Sequence, residues 1–295
     1  MQWLSQGRTL LEKGIESAVA AYHLDFLARS TCMSNFVSQR TPRQVMQDTI
    51  FALLTRELKV RFGSKKLGYF WALAEPILQS SIIAIIFTLL GRSSLSGVPV
   101  ALFILMGILP FRGFTKASIQ LATAIKANKA LFAYRQVSPI DPFITRLLIE
   151  SATYLVVYSL LMVALFWIGF QIIPEKPLEL ILINLFMLSM ASGYGLLLSN
   201  LVLFYDDTPR IISLIQQPLF FISGIFFVIT MIPAQYWHYL TWNPLLHFTE
   251  LSRDAMFSSY KTPVGDWLYL LTITIFLWGS GLSFYWINRH RFLAS

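Results

Sequence analysis

Charged residues divide the chain into uncharged runs at 76–91, 93–111, 151–174, 180–205, 211–249 and 267–288. A membrane crossing needs about 20 consecutive apolar residues, so five of these runs predict one crossing each, the first tolerating Glu75 near one end. The 39-residue run does not fit a single helix. At ~1.5 Å per residue it would reach about 58 Å, against a hydrocarbon core of ~30 Å. Pro233 and Asn243-Pro244 are its predicted breaks, leaving one crossing and then short interfacial pieces before the last. The expected fold is an all-α membrane protein with six transmembrane helices, spans falling at about 69–91, 98–122, 144–171, 178–204, 211–231 and 266–288.

Upstream of the first span, Thr41-Pro42-Arg43-Gln44 has the form of a helix start, with Thr41 as N-cap, Pro42 in the first turn and Gln44 closing a capping box. Met46, Ile50, Leu53, Leu54 and Leu58 then share one face, which predicts an amphipathic helix over about 43–62. It either lies along the membrane surface or packs as a plain cytoplasmic helix. Residues 1–41 read as a polar, partly helical extension, and 42–295 as the six-span domain. Between the second and third spans, residues 126–142 mix bases with Leu131, Phe132, Tyr134 and Val137 before a helix restarts at Asp141-Pro142. Such a loop is too apolar to be merely solvated, so it either docks a partner or folds back on the bundle.

Composition agrees with the pattern: 56% of the 295 residues are hydrophobic and 13% charged, where an ordinary soluble domain carries about 25% charged. A net charge of +8 could mark a nucleic-acid binder in a soluble protein, but here the basic residues first report topology. Seventeen Lys and Arg fall on the side of both termini and four (Arg92, Lys176, Arg253 and Lys261) on the other, which predicts cytoplasmic termini and no nucleic-acid partner. No cleavable signal is expected, because residues 1–40 lack a continuous apolar core. The single cysteine, Cys32, leaves no pair for a disulfide or zinc motif. No phosphate-cradling GxxxxGK[ST] occurs, so ATP is not expected to bind this chain by that route. The four histidines show no metal-ligand spacing, and the one adjacent acidic pair, Asp206-Asp207, precedes Thr208-Pro209, where capping the next helix is the expected role. No catalytic residue, metal site or cofactor is expected in this chain.

Ionisable residues inside a span usually face a cavity or a partner. Glu75, Arg112 and Lys116 are therefore candidates for a substrate path, with Trp71 at the inner interface beside Tyr69 and Phe70. Arg112 is the best single candidate for an anionic substrate, since it lies too deep to snorkel outward easily; pairing with an acid elsewhere in the bundle is the competing expectation. Tyr236, Trp237, Tyr239 and Trp242 form either an outer aromatic belt or a surface on which sugar rings stack. After Asn243-Pro244, Glu250, Arg253 and Asp254 fall within one helical turn, where i,i+3 pairing would fix a helix outside the membrane. Tyr236, Trp237, Trp242, Asn243, Glu250, Arg253 and Asp254 are the candidate outer gate. Arg56, Lys59, Arg61, Lys65 and Lys66 would draw anionic lipid or polymer to an entrance, or only enforce topology.

The segment ALLTRELKVRFGSKKLGYFWALAEP at 52–76 closely resembles inner-membrane permease subunits of ATP-binding-cassette capsular polysaccharide exporters. LFILMGILPFRGF at 102–114, ANKALFAYRQVSPID at 127–141 and NPLLHFTELSRDAMF at 243–257 are similar to the same family, so the likeness covers about 45–295. The resemblance implies a bacterial inner-membrane homodimer clasped by two copies of a separate ATP-binding subunit, which holds the ATP and Mg. It also implies a lipid-linked acidic polysaccharide as cargo, passed to a periplasmic adaptor and an outer-membrane channel. It makes 126–137 the coupling helix that enters the ATPase, through Asn128, Lys129, Leu131, Phe132, Tyr134, Arg135 and Gln136, and 43–62 the interfacial helix at the substrate entrance. The extension of about 40 residues is longer than the family leads one to expect. Permeases for O antigen or teichoic acid share this outline and stand as the alternative. A membrane glycan-processing enzyme using Asp206 and Asp207, or an ion-driven flippase, is more remote.

Overall fold

The computed structural model describes residues 41–62, 68–91, 94–134, 136–170 and 173–294, with 61, 62, 68–70, 72, 73, 76, 293 and 294 described by their backbone only. Residues from Met46 onward form one unit and those up to Val45 another. The helices are α1 (Pro42–Phe62), α2 (Gly68–Leu89), α3 (Val100–Ala127), α4 (Ile140–Trp167), α5 (Pro177–Phe204), α6 (Thr208–Ile222), α7 (Pro244–Met256) and α8 (Trp267–Ala294). A two-residue hairpin, β1 (Ser94–Leu95) with β2 (Val98–Pro99), leads into α3, an addition to the all-α expectation. Short 3-10 turns lie at Lys129–Ala133, Ile229–Met231 and Ala234–Tyr239.

Local signals account for the helix starts. Thr41 N–H donates to Gln44 Oε1 at 3.0 Å and Gln44 N–H to Thr41 Oγ1 at 3.4 Å, the reciprocal pair of a capping box. Asn243 Oδ1 accepts from Leu245 N–H at 3.0 Å and opens α7 at Pro244, the break expected from the sequence. Asp207 departs from expectation: its side chain does not cap α6 and instead pairs with Arg210 at 3.4 Å.

Among the described residues four helices are long and apolar enough to cross a membrane, α3, α4, α5 and α8. Their bounds lie within about five residues of the predicted spans, except that α8 runs on to Ala294. Helix α2 runs from Gly68 to Leu89, and α6 stops at Ile222 rather than near 231, after 15 residues. At ~1.5 Å per residue α6 spans about 22 Å, short of the ~30 Å core. Helix α3 is central: its most apolar stretch is 78% buried, against 17% for that of α8.

Small residues bring α5 against its neighbours. A Cβ on Gly195 would lie 2.5 Å from Leu121 Cβ of α3, and Gly281 of α8 sits against the Gly193 carbonyl, the close approach that small residues permit between helices in lipid. Gly195→Val should therefore overpack the α3–α5 contact, at a cost of about 1–3 kcal/mol. We expect a lower unfolding midpoint in detergent for Gly195→Val, whereas Gly279→Ala, whose Cβ would meet nothing within 4 Å, should leave it unchanged or higher.

Candidate functional site

Helices α2, α3, α4 and α6 enclose a cavity of about 610 Å³. Its lining sets polar side chains among apolar ones such as Leu109, Phe111, Val157 and Phe220: Glu75 and Gln79 from α2, Arg112 and Lys116 from α3, Glu150 and Tyr154 from α4, Gln216 and Gln217 from α6. Arg112 Nη1 lies 3.0 Å from Glu75 Oε1, and its Nη2 donates to Gln79 Oε1 at 2.7 Å. Three of the four residues proposed for a path thus converge on one cavity, with Arg112 already engaged by an acid of the same bundle. Trp71 lines a second hollow of about 380 Å³ that shares Glu75, Gln79 and Arg112 with the first. Lys116 is exposed and has no acid partner among the described residues. Gln216 is buried, and its Nε2 has no hydrogen-bond partner in the described structure. Sequence reading passed over Gln79, Glu150 and Gln216. Gln79 could have been found as the i+4 neighbour of Glu75, and Gln216-Gln217 as a polar pair within an otherwise uncharged run.

The inner end carries a different constellation. The turn Lys129–Ala133 follows α3 directly. Lys129, Tyr134 and Gln136 are exposed and Leu131 is half-buried; Arg135 lies outside the described residues. Phe132 packs against the cluster of Leu121, Ile125, Phe143 and Leu196. Asn128 is buried, donates to the Ala124 carbonyl at 2.9 Å and accepts from Arg56 of α1. One residue on, Glu57 pairs with Arg146 of α4, whose Nη1 donates to Gln120 Oε1 of α3 at 2.5 Å. Leu53 is buried on the same side of α1, while Phe51 and Val60 stay exposed. The predicted apolar face is therefore the docked one, and further apolar residues face outward. Of the entrance candidates, Arg56 is engaged by Asn128 and Lys59 is exposed; the Arg61 side chain, Lys65 and Lys66 lie outside the described residues, as do Tyr69, Phe70 and residues 1–40.

The outer end is organised by Arg253, which is fully buried. Its Nε donates to the Phe103 carbonyl (3.2 Å), Nη1 to Gly224 (2.7 Å) and Nη2 to Ile225 (3.1 Å). Its guanidinium carbon stands 3.5 Å from the Phe103 ring centroid. Away from water, backbone outside a helix must find internal partners, and α7 supplies them: Thr249 Oγ1 donates to the Ser223 carbonyl at 2.7 Å while Arg253 serves the next two. Gly224, with φ of +69°, makes the turn that ends α6. Gly107 leaves room for the guanidinium, since a Cβ there would lie 2.7 Å from Arg253 Nη2. Glu250 is equally buried, 3.7 Å from Arg253, and accepts from Tyr260 Oη at 2.7 Å and Thr262 Oγ1 at 3.1 Å. Burial pushes its carboxyl up, against the pull of Arg253.

Asn243 is also buried, donating to Ser223 Oγ at 2.9 Å. Tyr236 and Trp242 are exposed, and Trp237 is half-buried with its indole N–H on the Ile232 carbonyl at 2.8 Å. The seven gate candidates therefore divide into a buried brace and an exposed aromatic rim. Asp254 links the brace to the loop before α5, accepting from Lys176 Nζ at 2.9 Å and Thr262 N–H at 2.9 Å. Burial pushes its carboxyl up, but these two donors outweigh it and hold it below its usual value of 3.8. A depressed carboxylate contributes stability that is present above that value and is lost as pH falls through the folded one. The unfolding midpoint should therefore drop between about pH 5 and pH 3, and Asp254→Asn should flatten that part of the profile.

Asp206 pairs with Lys126 of α3 and Asp207 with Arg210, so each acid of the adjacent pair has its own cation in an exposed turn. Among the described residues no three His, Cys, Asp or Glu gather as metal ligands.

Residues 48–257 match the family described as ABC-2 type transporter. The chain is 35% identical over 256 residues to the polysialic acid transport protein KpsM of Escherichia coli, covering 87% of this chain and 99% of that one. It is 27% identical over 239 residues to the capsule polysaccharide export inner-membrane protein CtrC of Neisseria meningitidis, covering 81% and 90%. The O-antigen export system permease protein RfbA of Klebsiella pneumoniae is 27% identical over 251 residues, covering 83% and 93%.

Proposed function

Because the chain belongs to the ABC-2 type transporter family, we propose that it is the permease subunit of an ATP-driven exporter that moves lipid-linked acidic capsular polysaccharide across a bacterial inner membrane. The observation that carries this reading is the end-to-end relation to a polysialic acid transport protein. In this reading the chain crosses the membrane six times, through α2 to α6 and α8, with both termini cytoplasmic and residues 1–41 as an accessory extension. The braced backbone after Gly224 completes the short fifth crossing. Two copies of the chain form the permease, and two copies of a separate subunit bind and hydrolyse ATP with Mg.

Export requires that nucleotide-driven motion bias two states of the permease. The segment 129–136, exposed at Lys129, Tyr134 and Gln136, is where the ATPase would push. The Arg56–Asn128 and Glu57–Arg146 contacts tie that segment to α1, so a displacement there reaches the interfacial helix at the substrate entrance. Polymer would pass the cavity with Lys116 and Arg112 as its cations, and the rim of Tyr236, Trp237 and Trp242 would face a periplasmic adaptor leading to an outer-membrane channel.

The test is to purify the tagged chain from its own membranes in mild detergent and identify by mass spectrometry what remains bound. A stoichiometric P-loop ATPase with an adaptor and an acidic glycolipid is the expected result. The likeness to RfbA supports a second reading, export of an O-antigen type polymer, for which the ATPase would be found without an adaptor. An intact dimer with no ATPase would overturn both.

A further inference from the structure

We propose that Glu75 is an intramolecular stand-in for the substrate's anion: it occupies Arg112 until a phosphate or carboxylate borne on an acyl chain displaces it, releasing α2 from α3. The inference rests on the export reading above and adds to it how cargo would be admitted.

Three observations converge. Arg112 is held by α2 alone, through Glu75 at 3.0 Å and Gln79 at 2.7 Å, so all its polar side-chain contacts among the described residues are the bridge between these two helices. That bridge stands between two spaces. One is the larger cavity, where Lys116, Gln216 and Gln217 stand among apolar side chains such as Phe111 and Phe220. The other is the hollow whose remaining wall is Trp71, Leu78 and Ile82, all exposed and apolar. An amphiphile with a single anion between a polar chain and an acyl tail matches that order: tail in the hollow, anion on Arg112, polar chain in the cavity.

The third observation is that the lock is accessible. The two side chains are 45% and 58% exposed, and where water fills the cavity such a pair stabilises by ~1 kcal/mol or less, about a fivefold effect. A ligand anion of equal charge can therefore replace the Glu75 carboxylate with little loss, leaving Gln79 as the remaining polar tie beside the apolar packing of Ile83, Ala84 and Phe87. Because Glu75 and the ligand compete for one cation, the two partners of the bridge should have opposite effects on binding.

Full-length chain, purified with its ATPase subunit, is reconstituted in phosphatidylcholine nanodiscs, and binding of added phosphatidylglycerol is titrated by native mass spectrometry, with inorganic phosphate as competitor. Glu75→Gln should tighten phosphatidylglycerol binding about twofold to fivefold, Arg112→Gln should weaken it, and the double variant should follow Arg112→Gln. Inorganic phosphate should compete poorly, since it lacks the acyl chain. If both single variants weaken binding, or neither changes it, the pair is only a brace and the proposal fails. Phosphate competing as well as the lipid would remove the hollow from the site. Should Arg112→Gln not accumulate, the sign for Glu75→Gln alone decides. The export reading is judged separately, by ATP-dependent polymer movement in the wild-type complex, so either idea can fail without the other.

Discussion

Arg253→Ala is expected to remove the protein from the membrane: at least tenfold less folded chain should be recovered in mild detergent than for wild type, as measured by size-exclusion chromatography. The guanidinium donates to three carbonyls, one on α3 and two on the backbone beyond α6, and lies against the Phe103 ring. Removing one member of a buried ion pair costs about 3–5 kcal/mol, and each carbonyl left dry without a donor costs ~1–3 kcal/mol more. That sum is comparable to a total stability of about 5–15 kcal/mol and removes most of it. Arg253→Lys should be nearly as damaging, because one ammonium cannot reach carbonyls on two elements as a planar fork does. Glu250→Gln should fall between, since the amide oxygen can still accept from Tyr260 and Thr262 while the pairing charge is lost. Wild-type recovery of Arg253→Ala would show that α7 does not hold the end of α6. If it does, an outer gate cannot be α7 swinging alone: Gly224, Ile225 and Phe103 must move with it.

The second large effect is on coupling, with the fold left intact. Lys129→Glu combined with Tyr134→Ala should lower surface polymer at least tenfold while permease abundance stays within twofold of wild type, and the ATPase should no longer co-purify. Both side chains are exposed in the segment proposed to enter the ATPase, and an aromatic anchor at an interface is commonly worth about 2 kcal/mol or more, on the order of 30-fold in affinity. Phe132 provides the internal contrast. It packs inside the bundle against Leu121, Phe143 and Leu196, so Phe132→Ala should reduce abundance and thermal stability before it reduces coupling. Equal loss of abundance in both variants would mean that the exposed residues also hold the fold, and normal export by Lys129→Glu/Tyr134→Ala would take the coupling surface elsewhere.

Much of the chain was legible because membranes impose a one-dimensional constraint. A helix rises ~1.5 Å per residue against a fixed apolar thickness, so the uncharged runs marked where α3, α4, α5 and α8 would lie, though the runs at 93–111 and 151–174 reach neither the end of α3 nor the start of α4, and local capping rules placed the starts of α1 and α7. The same logic misjudged α6, whose uncharged run carries on past Ile222. What ends that helix is Gly224 at positive φ together with donors contributed by Thr249 and Arg253, more than 20 residues further along the chain.

The candidate site divides in the same way. That Glu75, Arg112 and Lys116 are candidates to face a cavity followed from the cost of exposing ions to lipid, and residue patterning singled out the segment 126–142 and the helix over 43–62 before the resemblance gave them roles. That Glu75 rather than a ligand meets Arg112, that Arg56 is spent on Asn128, and that Arg253 is a buried brace and not a surface charge are facts of pairing across 28 to 150 residues of chain. Periodicity and hydropathy report which medium a side chain prefers, through a free energy summed over its own neighbours. They carry no information about which distant donor meets which acceptor, because that is decided only when packed helices bring the two within about 3 Å and exclude the water that would otherwise serve both.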